Sequence, residues 1–379
     1  MKLRLSDVAQ QTGGRLVGVD VQINAIATDT RTLAPGSLYV ALRGERFDGH
    51  DFIDAAMTAG AVAALVDHAV EGDVPQVIVD DSERALGKIA AATRDHRNAT
   101  VVAITGSNGK TTVKTLTAAI LSAHGRTHVN SGNYNNEIGL PLSVIALPED
   151  AEYAVFEMGA GKPGDIAYLA SIAKPRVGLV NNIAAAHLER MGDLDGVAQT
   201  KGALISALPA DGIAIVNADD AHADTFIGLA GTRRVIRFGF ATDAEVRGEL
   251  GGAAAGSFRI VTAGETITVA LALPGIHNMC NALAAAAIGV ALGVPLATIK
   301  RGLETASPVA GRLATRRHPS GATIIDDSYN ANPGSFDAAI ATLADLRGLR
   351  ILVMGDMKEL GPTADRLHEE VGALASDAG

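Results

Sequence analysis

The stretch "VVAITGSNGKTTVKTLTAAIL", residues 101–121, constrains this chain more than any other segment. An apolar run ends in a turn of small residues and passes directly into a helix-forming segment. Gly106 and Gly109 permit tight backbone geometry where the strand stops, at about Thr105. The N–H groups of such a turn (Gly106, Ser107, Asn108, Gly109) and of the helix behind it can converge on one anion. Lys110 adds a mobile positive charge able to reach β- and γ-phosphate oxygens, and Thr111 or Thr112 offers a hydroxyl to a magnesium ion. The full phosphate-loop pattern calls for glycine at position 104, where Ile104 stands, so only a shortened form is present. Alone, the turn admits two readings, a phosphate cradle or a plain strand-to-helix connection. A lysine followed by two threonines favours the first.

The surroundings predict an α/β architecture. Strand candidates at 101–105, 153–157, 177–181 and 213–217 alternate with helical stretches, the pattern of a mostly parallel sheet. Residues 245–273 break into short runs with glycines and read as antiparallel. Residues 1–98 form a smaller α/β unit, with strands in "SLYVAL" and "PQVIVD" and a helix in "DFIDAAMTAG". After "RGLETASPVAGR" a third unit opens with "ATIIDDSYNANPG", continues through a helix near 335–346 and ends with the strand "RILVMG". The expected domains are 1–98, 99–309 and 310–379, the last incomplete. At roughly 150 residues per domain, 379 residues agree with two or three.

Composition narrows the function. A formal charge of -10 argues against non-specific nucleic-acid binding, and 3% aromatics without tryptophan disfavour a base-stacking surface. The single cysteine, Cys280, rules out an intrachain disulfide and fits a reducing compartment. The N-terminus has no signal-peptide core, and no apolar run reaches the roughly 20 residues of a membrane span. The expectation is a soluble, cytoplasmic monomer without membrane insertion.

Phosphate chemistry needs hard oxygen ligands at the C-terminal ends of strands. Glu157 closes the apolar run "YAVFE", where burial of a carboxylate is unfavourable unless something pairs with it; the alternative is an exposed sheet-edge carboxylate. His187 and Glu189 follow the next strand, with Asn181 and Asn182 at its tip; alone, His187 fits a metal ligand and a hydrogen-bonding neighbour equally. Lys201 lies in a helix of small residues, where a lone lysine normally snorkels to the surface.

These residues stand within a set of motifs that resembles the ATP-dependent Mur ligases of bacterial peptidoglycan synthesis. "TGSNGKTT", "FEMG", "AHLE", "TKG", "LPGIHNMCNALAA" and "GR" are features of the whole family. "SGNYNNEIGLPL", "DDSYNANP" and "GDMKELG" are similar to the branch that adds D-alanyl-D-alanine to UDP-N-acetylmuramoyl-tripeptide. The resemblance implies a UDP-sugar-binding domain, a central ATPase domain and a Rossmann-like C-terminal domain that normally continues beyond this length. It implies that residues 106–112 hold ATP phosphates, that Thr111, Glu157, His187 and Lys201 serve magnesium, and that Lys201 does so as a carbamate. Asn278 and Asn281 would lie beside adenine, with Arg312 and Asp327 near γ-phosphate and ribose. Asn133, Asn135 and Asn136 would reach substrate. Asp29, Thr30 and Arg31, with Phe47, Asp48, Gly49 and His50, would bind the UDP moiety. Tyr329 and Asn330 would face either the dipeptide or ATP. The competing readings are another amide-forming relative, of Mur or folylpolyglutamate type, and a fragment that binds nucleotide without catalysis.

Overall fold

The computed structural model describes residues 3–251 and 257–379. Residues 1–2 lie outside the described set, as do 252–256, part of the expected antiparallel stretch. Two compact units emerge, one from residues 1–98, 130–149 and 171–173, the other from 99–129, 150–170 and 174–379.

The first unit is built on a five-stranded sheet. In spatial order its strands are Arg15–Val17, Gln76–Ile78, Ala61–Val66, Ser37–Val40 and Ala25–Ala27, parallel except for the first pair. The central runs "AVAALV" and "SLYV" are almost wholly buried, which is why they read as continuous apolar segments rather than alternating ones. The helix Ser82–Asp95 starts at Asp81, whose carboxylate accepts the Arg84 N–H. Residues 130–149 are central in the sequence but belong to this unit, where Leu142 and Ile145 of the helix Gly139–Ile145 pack on its core.

The second unit carries a nine-stranded sheet among the described residues. Its order is Thr266–Ala270, Ser257–Val261, Val246–Leu250, Arg234–Gly239, Ile213–Asn217, Val177–Val180, Thr100–Thr105, Tyr153–Glu157 and Thr127–Val129. The first two strands are antiparallel additions, as the glycine-broken pattern implies, and the other seven run parallel. The helix Lys110–Ser122 buries Val113, Leu116 and Ile120 at helical spacing. Helix Ile276–Ala291 fully buries the small-residue run Ala282 through Ala287, so neighbouring backbones can come close.

Residues 314–377 contribute the hairpin Ala314–Arg317/Thr323–Asp326, the helix Pro333–Ala344 and the helix Ala364–Asp377. A small core of Ile340, Met357, Leu360, Leu367 and Val371 joins the two helices. The expected strand "RILVMG" does not form: residues 350–356 have no ladder partner, and Ile351 and Val353 are 72% and 89% exposed. A parallel strand is stable only with hydrogen-bonded neighbours and both faces covered, and the described residues supply neither here.

Candidate active site

The turn after Thr105 has the geometry its glycines suggest. Gly109 adopts φ 78 and caps the helix Lys110–Ser122; a Cβ there would stand 2.3 Å from Asn281 Oδ1 and 2.6 Å from Asn181 Nδ2. Gly106, at φ 148, has Asn181 Cβ 2.9 Å from where its own Cβ would be. Ser107 Oγ donates to the Ala184 carbonyl (3.0 Å) and accepts from the Ala184 N–H (2.9 Å). Asn108 donates its N–H to Asn182 Oδ1 at 2.8 Å. The first-turn N–H groups of the following helix have no intrahelical acceptors and point out of its N-terminus, where the helix dipole favours an anion.

Lys110 folds over the turn and donates to the Gly106 and Ser107 carbonyls at 2.8 and 3.0 Å. Burial pushes its pKa down; Glu157 opposes that shift and Arg312 adds to it. Thr111 Oγ1 donates to Glu157 Oε2 at 2.8 Å, and Thr112 follows half-buried on the same helix. Glu157 is 2% exposed at its strand end, with Lys114 Nζ 3.5 Å away, so the sheet-edge reading gives way to a buried, paired carboxylate.

Lys201 is buried in the helix Leu194–Ser206 and does not snorkel to the surface. Its pKa falls to about 7, first through burial and then through the charge of Lys110. The buried Lys201 and the half-buried Lys110 repel one another. Thr111 and Glu157, near Lys110, offer the hard oxygens magnesium prefers, so these residues fit that ion.

His187 begins the short helix Leu188–Met191 in a left-handed conformation, φ 55, and its Nδ1 lies against the Glu359 carboxylate. Glu359 is also left-handed, φ 61, and its carbonyl accepts the Glu189 N–H at 3.4 Å. Glu157 and His187 belong to no compact group of three metal-ligating side chains among the described residues. The group of that kind is His50, Asp67 and His68 in the first unit. There the Arg43 guanidinium already sits 3.0 Å from Asp67 Oδ1 and 3.1 Å from His68 Nδ1, supplying the positive charge.

Of the two asparagines expected near adenine, Asn278 and Asn281, both are buried, and Asn281 Nδ2 donates to Asn278 Oδ1 at 3.3 Å. Arg312 stacks on the Tyr329 ring, its guanidinium carbon 4.1 Å from the centroid. Asp327 Oδ1 accepts the Leu313 N–H at 3.1 Å, and burial raises its pKa. Asn330 is exposed. Asn332, which motif reading did not single out, reaches Asn108 Oδ1 with its Nδ2 at 2.7 Å. The "NANP" text shows a helix cap before a proline, and nothing local in it shows that contact.

In the first unit, Asp29 binds Arg31 by paired hydrogen bonds that pull its pKa down to about 2. Asp29 and Thr32 line a cleft of about 530 Å³ together with Tyr134, Leu142 and Glu149. The "DTR" segment, with Thr30 half-buried, and the "SGNYNNEIG" segment therefore meet within one unit. Asn136 Oδ1 accepts the Gly139 N–H at 2.9 Å, while Asn133 is exposed and Asn135 half-buried. Gly49 has no room for a Cβ, which would stand 2.6 Å from the Leu42 nitrogen. His50 Nδ1 lies 2.5 Å from Asp48 Oδ1, and Phe47 is exposed.

Family models match the chain as the Mur ligase middle domain over residues 104–289, the Mur ligase glutamate ligase domain over 311–378 and the Mur ligase family catalytic domain over 22–94. The UDP-N-acetylmuramoyl-tripeptide--D-alanyl-D-alanine ligase of Escherichia coli (strain K12) is 45% identical over 387 aligned residues, covering 100% of this chain and 84% of that protein. This chain belongs to the Mur ligase family. It has the family's three-part architecture and is an ATP-dependent amide-forming ligase of peptidoglycan precursor synthesis. Among solved structures, MurF from Acinetobacter baumannii superposes with TM-score 0.95 at 34% identity, over 99% of this chain and 84% of that one. The Thermotoga maritima MurF ligase in complex with ADP superposes with TM-score 0.84 at 32% identity, over 93% and 82%. No helix among the described residues of this Mur ligase is long and apolar enough to cross a membrane.

Proposed function

We propose that this Mur ligase joins D-alanyl-D-alanine to UDP-N-acetylmuramoyl-tripeptide through an acyl phosphate formed from ATP. The observation that supports it most is the meeting of Lys110, Thr111 and Glu157 where two parallel strands end beside a glycine turn. Residues 1–98 would serve the UDP-sugar and 99–309 the nucleotide, with 310–379 as the C-terminal Rossmann-like domain. The UDP moiety would lie along Asp29, Thr30, Arg31 and residues 47–50, with Asn133, Asn135 and Asn136 reaching the rest of that substrate. Adenine would sit by Asn278 and Asn281, with Asp327 at the ribose.

An amide cannot form from a carboxylate and an amine in water without activation. The turn amides and Lys110 would hold the γ-phosphate while a tripeptide carboxylate oxygen attacks its phosphorus and the bond to the β–γ bridging oxygen breaks, releasing ADP; Arg312 would balance the charge that spreads on transfer. Lys110 would leave its two carbonyl partners to do so. Thr111, Glu157 and His187 would hold magnesium, which when bound neutralises the phosphate oxygens. The dipeptide amine then attacks the acyl carbon and phosphate departs.

The depressed pKa of Lys201 leaves much of its amine neutral near pH 7. A neutral amine adds to carbon dioxide, forming an N–C bond and losing a proton, and the resulting carbamate would place negative oxygens beside Lys110. Labelling with ¹³C-carbon dioxide should give a carbamate resonance that Lys201→Met abolishes.

The decisive experiment is phosphate release by the 379-residue protein with ATP, magnesium and UDP-N-acetylmuramoyl-tripeptide. Release that requires D-alanyl-D-alanine is expected. Equal release without it, or with glutamate in its place, would overturn the assignment.

A further inference from the structure

The phosphate turn is held by side-chain amides from three directions. The Asn108 carbonyl accepts from Asn181 Nδ2 at 3.0 Å, its N–H goes to Asn182, and its side-chain oxygen accepts from Asn332. Asn181 Nδ2 also donates to Asn281 Oδ1 at 2.9 Å. A line of neutral amides thus runs from the helix Ile276–Ala291, through the turn, to the start of the helix Pro333–Ala344.

Asn332 is the far end of that line, and all its polar groups are engaged. Its Oδ1 accepts the Ser335 N–H at 2.9 Å, its own N–H donates to Ser335 Oγ at 2.9 Å, and its Nδ2 donates to Asn108 at 2.7 Å. Because Oδ1 is committed to the helix, the amide orientation is determined and Nδ2 must face Asn108. The residue is 6% exposed. Serine or aspartate would cap the helix about as well, but neither carries a donor of this reach. Gly334 follows the same logic, since a Cβ there would stand 2.9 Å from Asn108 Nδ2. Capping alone explains neither the buried donor nor the missing side chain.

We infer that Asn332 is a positioning residue that couples the phosphate turn to the carboxy-terminal region. It holds Asn108, and with it the turn, while the helix Pro333–Ala344 is docked; nucleotide in the turn in turn secures the first turn of that helix. Such coupling is reciprocal by linkage. The inference rests on the phosphate role given to residues 106–112 above.

Hydrogen exchange of the full chain with and without magnesium and ADP tests it. In the unsubstituted protein ADP should slow exchange at residues 106–113 and also at Gly334–Phe336. Asn332→Asp and Asn332→Ser keep the cap and remove the donor. In each, ADP should still slow exchange at 106–113, while its effect at Gly334–Phe336 falls by about five- to ten-fold, the loss of one buried hydrogen bond. Undiminished transmission in the variants, or ADP protection confined to 106–113 in the unsubstituted protein, would overturn the coupling alone. No protection at 106–113 in the unsubstituted protein would overturn the phosphate reading and the coupling with it.

Discussion

At the scale of single residues, the site depends on groups whose ordinary behaviour has been altered by burial. Lys201 has a folded pKa of about 7 against an ordinary value of 10.5. Between those values the unfolded chain binds more protons than the folded one, so this group makes stability rise with pH from about 7 to about 10.5. Lys201→Met should flatten that rise, read as the melting temperature of nucleotide-free protein across pH 7–10. Gly109 is constrained twice, by its left-handed φ and by the amides of Asn181 and Asn281 against its missing side chain. Gly109→Ala should cost about 1–3 kcal/mol in stability from backbone strain and abolish ADP binding by calorimetric titration. Cys280 has no part in the chemistry proposed: burial, with Asp219 and Asp220 nearby, pushes its thiol up to about 12. It should react slowly with a thiol reagent at pH 8 and quickly once the protein is unfolded.

At the scale of elements, close backbone approach explains why small residues recur. A Cβ on Gly302, in the helix Leu296–Thr305, would stand 2.5 Å from Ile120 Cα and 2.7 Å from its nitrogen. These are backbone atoms and cannot turn aside, so Gly302→Ala must separate two helices. The expected loss is about 1–3 kcal/mol by chemical denaturation. Val353 gives the opposite case. Its side chain meets solvent, so Val353→Ser should change stability by less than about 0.5 kcal/mol, despite lying in the most strand-like text of the last 70 residues. The contrast shows how far element reading reaches. The central parallel strands and the helix Lys110–Ser122 were legible because their own apolar pattern matched their burial. The segment 350–356 was misread because the same pattern needs neighbours that its own residues cannot supply.

At the scale of the whole molecule, the two units have separate cores, and the proposed function gives them different ligands. ADP with magnesium should stabilise the unit containing residues 99–129, by about 2.7 kcal/mol at a hundred-fold excess over its Kd. Exchange protection should then rise throughout the central sheet, with far less change in the strands Ser37–Val40 and Ala61–Val66. Uniform protection of both units would show that they unfold as one.

The sequence by itself determined the strand–turn–helix at 100–122, the parallel sheet around it and the candidate roles of Lys110, Thr111 and Glu157. Those features depend on local conformational freedom and on periodic burial, which neighbouring residues encode. Only the tertiary structure decided that Lys201 is interior, that residues 130–149 pack beside the "DTR" segment, that His187 meets Glu359 and that Asn332 holds Asn108. Each depends on surfaces brought together from distant stretches of chain. Burial, which sets the pKa of Lys201 and the worth of the Asn332 amide, exists only after those surfaces have closed.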